Sequence, residues 1–226
     1  MDGHMFFYRP NFLIETIYSM IVTFSVLLVF LKTREMHKLT DHKGIKYFSL
    51  TFLFFTIAHF FRFFFRIFFR SFLTGPGPFM PGRPPFRIGE LVFIYASVMA
   101  GLFMFYSVMW KKTKINEKIV ILLFNILAFL TVVSDLLFRD PFVHISIITL
   151  LFAATVFMSL LLQKKSKKKH SFFVAYILVL LIWILNLVPI EMPRFLFGLR
   201  VFIYIISAAL YLLLVWRILK NGKKKR

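Results

Sequence analysis

Residues 46–70 read KYFSLTFLFFTIAHFFRFFFRIFFR, an apolar stretch that begins with a Lys and carries three Arg among its last nine residues. An α-helix of about 20 residues crosses the ~30 Å hydrocarbon core of a bilayer, so this segment is long enough to span a membrane. Its polarity is uneven along its length, because the Lys marks one end and the Arg residues mark the other. The same division of Lys and Arg recurs along the rest of the chain.

Apolar segments of similar length account for most of the 226 residues. Of these residues 60% are hydrophobic, and the mean hydropathy of +0.81 exceeds what a soluble domain of this size can bury. We therefore predict an all-α fold, a polytopic seven-transmembrane-helix bundle that forms a single domain over residues 1–226 of a multi-pass cell-membrane protein. The spans are predicted at 11–32, 46–70, 88–110, 118–138, 142–163, 171–189 and 194–217.

The distribution of Lys and Pro predicts the orientation. All 17 Lys fall at or beyond one set of span ends, and all nine Pro fall on the opposite side. The positive-inside rule then predicts an outside N-terminus and a cytoplasmic C-terminus. We expect the basic loops to contact anionic lipid headgroups, and loop 32–46 is the best candidate for docking a cytoplasmic protein. The net charge of +20 is spread over these loops, so we predict no nucleic-acid partner.

The longest connection, 71–87, contains the run Gly75-Pro76-Gly77-Pro78-Phe79-Met80-Pro81-Gly82-Arg83-Pro84-Pro85. Proline removes backbone donors and breaks helices, so we predict a non-helical outer loop. It has two interpretations, a lid over the outer half or a spacer between spans.

Four polar residues of the second span lie on one helix face, within about 80° of arc: His59, Arg62, Arg66 and Arg70. Charges inside spans are costly and usually face the bundle interior or water. We expect His59 and Arg62 to face the interior. Arg66 lies near the hydrocarbon boundary and Arg70 outside it, where we expect both to snorkel to lipid phosphates, with an interior-facing role as the alternative.

Partners of suitable charge occur at a similar depth in other spans. One face of the last span carries a polar stripe of Arg200, Tyr204, Ser207 and Tyr211. We predict a buried network beneath the outer surface. The alternatives are a ligand pocket and purely structural salt bridges. The predicted ligand-binding or structural residues are Glu15, His59, Arg62, Arg66, Glu90, Asp135, Asn186, Arg200 and Tyr204.

Several chemistries are excluded or disfavoured. The chain has no Cys, which excludes thiolate catalysis and cysteine–metal sites. A retinal protein needs a Lys in its last span, but no Lys occurs between Lys169 and Lys220. Only His59 of the six His lies well inside a span, so we predict neither a metal nor a cofactor. No nucleophile motif supports an enzyme, and catalysis is not favoured.

The leading hypothesis is a sensor or receptor-like protein. It would bind a small anionic or lipidic ligand in its outer half and couple to a cytoplasmic partner. The alternatives are a transporter or channel subunit, an enzyme that modifies outer-leaflet lipid with His59 as its acid–base group, and a non-catalytic assembly protein.

Overall fold

Seven α-helices make up the part of the chain that the structure describes. The computed structural model describes the backbone of residues 10–72, 84–113, 115–138, 141–166, 172–191 and 197–223, and side chains in 14–65, 87–113, 115–138, 142–164, 172–187 and 198–220. The helices are α1 (Pro10–Thr40), α2 (Lys43–Phe72), α3 (Pro84–Met109), α4 (Glu117–Phe138), α5 (Pro141–Ser166), α6 (Phe173–Glu191) and α7 (Phe197–Lys223). The prediction of an all-α membrane bundle is confirmed.

The length and composition of six helices suit a membrane crossing. These are the helices α1 to α5 and α7, each with a candidate span of 22 to 27 residues that has a strongly apolar core. Large apolar side chains such as Leu122, Phe157 and Ile205 stay exposed on their outer faces, as expected for surfaces that contact lipid. The apolar part of α6 within the described side chains, Phe173–Leu187, is shorter. The chain is therefore a helical membrane protein, and its seventh crossing stays a prediction.

Six of the helices close a ring. In the described residues α1 packs on α2, α2 on α3, α3 on α5, α5 on α6, α6 on α7, and α7 returns to α1. Helix α4 lies outside this ring, against α3 and α5. Helix α3 is the most buried, with 72% of its span inside the bundle. The ring brings Glu15, Arg62, Arg87 and Arg200 to one end, here called the arginine-rich end.

The centre of the ring is filled at the opposite, lysine-rich end. Phe48 of α2 is fully buried, and its ring centroid lies 4.7 Å from that of Phe172 and 5.4 Å from that of Tyr176 on α6. The Tyr176 hydroxyl also lies 3.0 Å from the Ser107 hydroxyl of α3. These contacts join α2, α3 and α6 across the ring, so the aromatic side chains plug this end.

The first basic loop is shorter than predicted. Helix α1 continues through Thr40, and only Asp41 and His42 separate it from α2. Asp41 has a φ of 45°, a left-handed conformation that Asp tolerates better than most residues. Residues 32–40 contain neither Gly nor Pro, and Met36 packs into the core. The helix therefore extends beyond the predicted span, because packing and favourable helix propensity continue there.

The proline run also ends differently from the prediction. Pro84 and Pro85 form the first turn of α3, where the missing amide hydrogens would have no helical partner and the fixed φ suits the helix. The rest of the predicted lid or spacer, residues 73–83, lies outside the described residues.

Candidate functional site

A cavity of about 590 Å³ lies inside the ring near the arginine-rich end. It is bounded by side chains of all seven helices, and among the described side chains Val26 is the one that α1 contributes. Its volume falls within the 300–1,000 Å³ typical of small-molecule sites. The polar side chains that line it are His59, Arg62, Arg87, Glu90, Ser97, Asp135, His144, Trp183, Asn186 and Tyr211.

The charged side chains of this cavity are concentrated at one end. Arg87 and Glu90 begin α3, Asp135 ends α4, and His144 begins α5, so helix termini bring them to the same level. The floor is apolar and includes Phe52 and other side chains: Val26, Phe55, Val179 and Leu214. A ligand that fills the cavity therefore needs a polar group at one end and an apolar body.

The α2 wall carries two groups that the helical spacing predicted. The Arg62 guanidinium carbon lies 4.7 Å from the centroid of the Phe93 ring, a cation–π contact. His59 lies one turn deeper, and its Nε2 is 3.5 Å from the Tyr211 hydroxyl of α7. The contacts of Arg62 with Phe93 and of His59 with Tyr211 orient both side chains within the bundle.

Contacts among α3, α4 and α5 organise the mouth of the cavity. The Arg87 guanidinium donates a hydrogen bond to the Leu136 carbonyl oxygen at 3.1 Å. His144 Nδ1 lies 3.9 Å from Asp135 Oδ1, and both side chains are largely buried. Helix α4 lies outside the ring, and its last turn reaches the cavity through Asp135, between α3 and α5.

A second polar cluster holds α1, α6 and α7 together beside the cavity. The Tyr18 hydroxyl donates to Asn186 Oδ1 at 2.5 Å and lies 2.9 Å from the Ser207 hydroxyl. Asn186 Nδ2 donates to Ser207 Oγ at 2.9 Å, which closes a triangle of three helices. The Tyr18 ring stacks on Tyr204 with centroids 4.6 Å apart.

One turn closer to the end of the bundle, an ion pair completes this α1–α7 seam. Arg200 Nη1 lies 4.0 Å from Glu15 Oε1. Asn186 belongs to both clusters, since it also lines the cavity. The hydrogen bonds and the ion pair fix the interface of α1 and α7, where lipid supplies no hydrophobic force.

Eight of the nine predicted residues lie in the described part of the chain, and they form two groups. The structure brings five of them to the cavity: His59, Arg62, Glu90, Asp135 and Asn186. It places the other three in the seam outside the cavity: Glu15, Arg200 and Tyr204. The side chain of Arg66 lies outside the described residues. The single network predicted for the Arg and carboxylate groups is thus two clusters joined at Asn186.

Sequence reasoning missed several cavity residues. Arg87 precedes Glu90 by three positions, a spacing that puts both on one side of a helix and offered a usable signal. His144 lies close to a predicted span end, which gave no sign that its side chain is only 12% exposed and faces Asp135. Trp183 had no sequence signal, because an aromatic residue in an apolar span is usually part of the core. In the described residues, no group of three or more His, Asp or Glu is arranged to hold a metal ion.

These features define a helical membrane protein with an internal, amphipathic cavity. An uncharacterized protein of Archaeoglobus fulgidus is 28% identical to this chain over 218 residues, and the match covers 92% of each chain. No family model and no solved structure matches the chain. The similarity to the Archaeoglobus protein thus extends over nearly the whole bundle.

Proposed function

We propose that this protein is a receptor-like membrane sensor that binds a small amphipathic ligand in the cavity. The ligand's acidic group would lie near Arg62 and Arg87, and its apolar body would extend towards Phe52. The observation that carries this proposal is the polarity gradient of the cavity, with charged groups at the mouth and apolar side chains at the floor. Guanidinium groups suit such a ligand, because they bind carboxylate or phosphate in a bidentate manner.

The proposal includes seven crossings with the N-terminus outside and the C-terminus in the cytoplasm. The Lys residues support this orientation, and aromatic residues at the same end agree with it. The Lys111 ammonium lies 5.4 Å from the Trp110 ring centroid, and the Lys220 ammonium lies 5.0 Å from that of Trp216. Trp beside Lys is typical of a cytoplasmic membrane interface. The exposed basic residues there would dock a cytoplasmic partner and anionic lipid headgroups.

The packing of the lysine-rich end favours a sensor over a channel. Phe48, Phe52 and Tyr176 are each at most 2% exposed, and they fill the ring below the cavity. A continuous water path would need these side chains to separate. A ligand bound above this plug can instead change the packing of the helices around it.

Native mass spectrometry of the protein purified in mild detergent tests the ligand-binding role. We expect a defined small-molecule or lipid adduct on the wild type, and a roughly tenfold or greater loss of that adduct in Arg62→Ala. Arg34→Ala is the matched control, since Arg34 is exposed at the opposite end. A bare wild-type mass, or an adduct that survives in Arg62→Ala, would contradict the proposal.

The Asp135–His144 pair supports a second candidate function, acid–base catalysis on a lipid. Asp135 Oδ1 lies 3.9 Å from His144 Nδ1 beside the cavity, and an approach of less than about 1 Å would give the hydrogen-bonded carboxylate–imidazole pair that orients a general base. Turnover of phospholipid by purified protein would test it. We then expect loss of turnover in His144→Gln but not in His59→Gln, and the absence of turnover in the wild type would remove this candidate.

A further inference from the structure

Two opposite charges on the same turn of α3 line the mouth of the cavity without a protein counter-charge. Arg87 donates to the Leu136 carbonyl oxygen, and within the described side chains it has no carboxylate partner. Glu90 is exposed, and among the described side chains it has neither an ion-pair nor a hydrogen-bond partner. By contrast, Asp135 at the same mouth lies beside His144.

Local geometry explains why Arg87 and Glu90 do not neutralise each other. Residues three apart on a helix have Cβ atoms about 5–6 Å apart, close enough for an ion pair. The Arg87 side chain is instead directed to the last turn of α4 by its bond to Leu136. Both side chains line the mouth of the cavity.

The wall beside Glu90 is built for close packing. A Cβ atom at Gly89 would lie 2.9 Å from the Phe65 ring, so only a residue without a side chain lets α2 approach α3 here. The close approach of α2 leaves Glu90 at the edge of the cavity, with an aromatic surface next to it. Both side chains line the cavity, and among the described residues neither has a counter-charge, so a ligand that carries both an acidic and an ammonium group would pair both.

We propose that the ligand's head group is zwitterionic, with an ammonium group bound by Glu90 and an acidic group bound by Arg87. This inference rests on the proposed ligand-binding function and specifies its chemistry. The shared chemistry is a primary ammonium a few bonds from a phosphate or carboxylate. An aminophospholipid head group and a free aminophosphate both supply it, and the apolar floor favours the lipid source.

Binding of matched probes to the full-length protein in maltoside detergent tests this inference. The probes are lysophosphatidylethanolamine, lysophosphatidic acid with the same acyl chain, and free phosphoethanolamine. We expect the wild type to bind the ethanolamine lysolipid at least about tenfold more tightly than the phosphatidic acid, because a charge-assisted hydrogen bond to Glu90 is added. Glu90→Gln should abolish this preference by weakening only the zwitterionic probe.

Glu35→Gln is the matched control, because Glu35 pairs with Lys32 at the other end of the bundle. Thermal melting verifies that Glu90→Gln is folded, and Glu90→Asp provides a second variant that keeps the charge and should retain the preference. Free phosphoethanolamine that binds as tightly as the lysolipid would assign the head group to a soluble molecule, whereas binding that requires the acyl chain would assign it to a lipid.

Equal affinity for the two lysolipids, or an unchanged preference in Glu90→Gln, would overturn the zwitterion inference and leave the proposed function standing. Failure of all three probes, together with a wild-type mass without adduct, would remove both.

Discussion

Two fully buried serines offer a controlled measurement of the α1–α7 seam. Ser207 of α7 lies 2.9 Å from both the Tyr18 hydroxyl and the Asn186 amide nitrogen. Ser159 of α5 is equally buried, but its hydroxyl has no hydrogen-bond partner among the described residues. Replacement by Ala removes the same atom at both sites, so the difference between the variants isolates the hydrogen bonds.

We expect Ser207→Ala to lower the free energy of unfolding by about 1 kcal/mol. Interhelical hydrogen bonds in membranes average about 0.6 kcal/mol and reach about 1.7 kcal/mol, and two such contacts are lost. The loss is limited because Tyr18 still donates to Asn186 at 2.5 Å. Ser159→Ala should be neutral or stabilising, since a buried hydroxyl without a partner is removed.

Reversible unfolding in mixed micelles of SDS and a mild detergent measures both variants. A double-mutant cycle of Tyr18→Phe with Ser207→Ala should give a coupling energy of about 0.5 kcal/mol or more. If Ser207→Ala is no more destabilising than Ser159→Ala, the polar triangle does not hold the seam together, and our reasoning about it is wrong.

Two further predictions concern the packing of α2 on α3 and the orientation. Gly44→Ala should destabilise the protein by about 1–3 kcal/mol, because the added Cβ would lie 2.7 Å from Trp110 Nε1. Gly198→Ala meets nothing within 4 Å and should be neutral or stabilise by up to ~1 kcal/mol; equal thermal melting of the two variants would contradict the close packing. The chain has no Cys, so a membrane-impermeant maleimide on intact cells should label Phe138→Cys and spare Ile115→Cys. The reverse labelling would overturn the proposed orientation.

Helical periodicity predicted which side chains share a face, and this part of the site agrees with the structure. Spacing alone put His59 and Arg62 on one side of α2, and both line the cavity. Spacing also put Tyr204 and Ser207 on one side of α7, where both contact Tyr18. These relations lie within single helices, so they follow from 3.6 residues per turn.

Relations between helices were not predictable in the same way. The sequence predicted one network of Arg and carboxylate groups, but Arg200 pairs with Glu15 whereas Arg62 stacks on Phe93. The choice depends on which helices are neighbours in the ring, and all the candidate partners lie at similar depth. His144 is the clearest case, since its partner Asp135 is on a helix outside the ring.

The sequence by itself determined that the chain is a bundle of apolar helices, because the hydrocarbon core demands long segments whose backbone groups are satisfied internally. It also determined the separation of Lys from Arg, which underlies the proposed orientation. Only the tertiary structure decided that the lysine-rich end is plugged by Phe48 and Tyr176 while the other end encloses a cavity. That outcome depends on how side chains from six helices fill a shared centre, and no periodicity within one helix describes such packing.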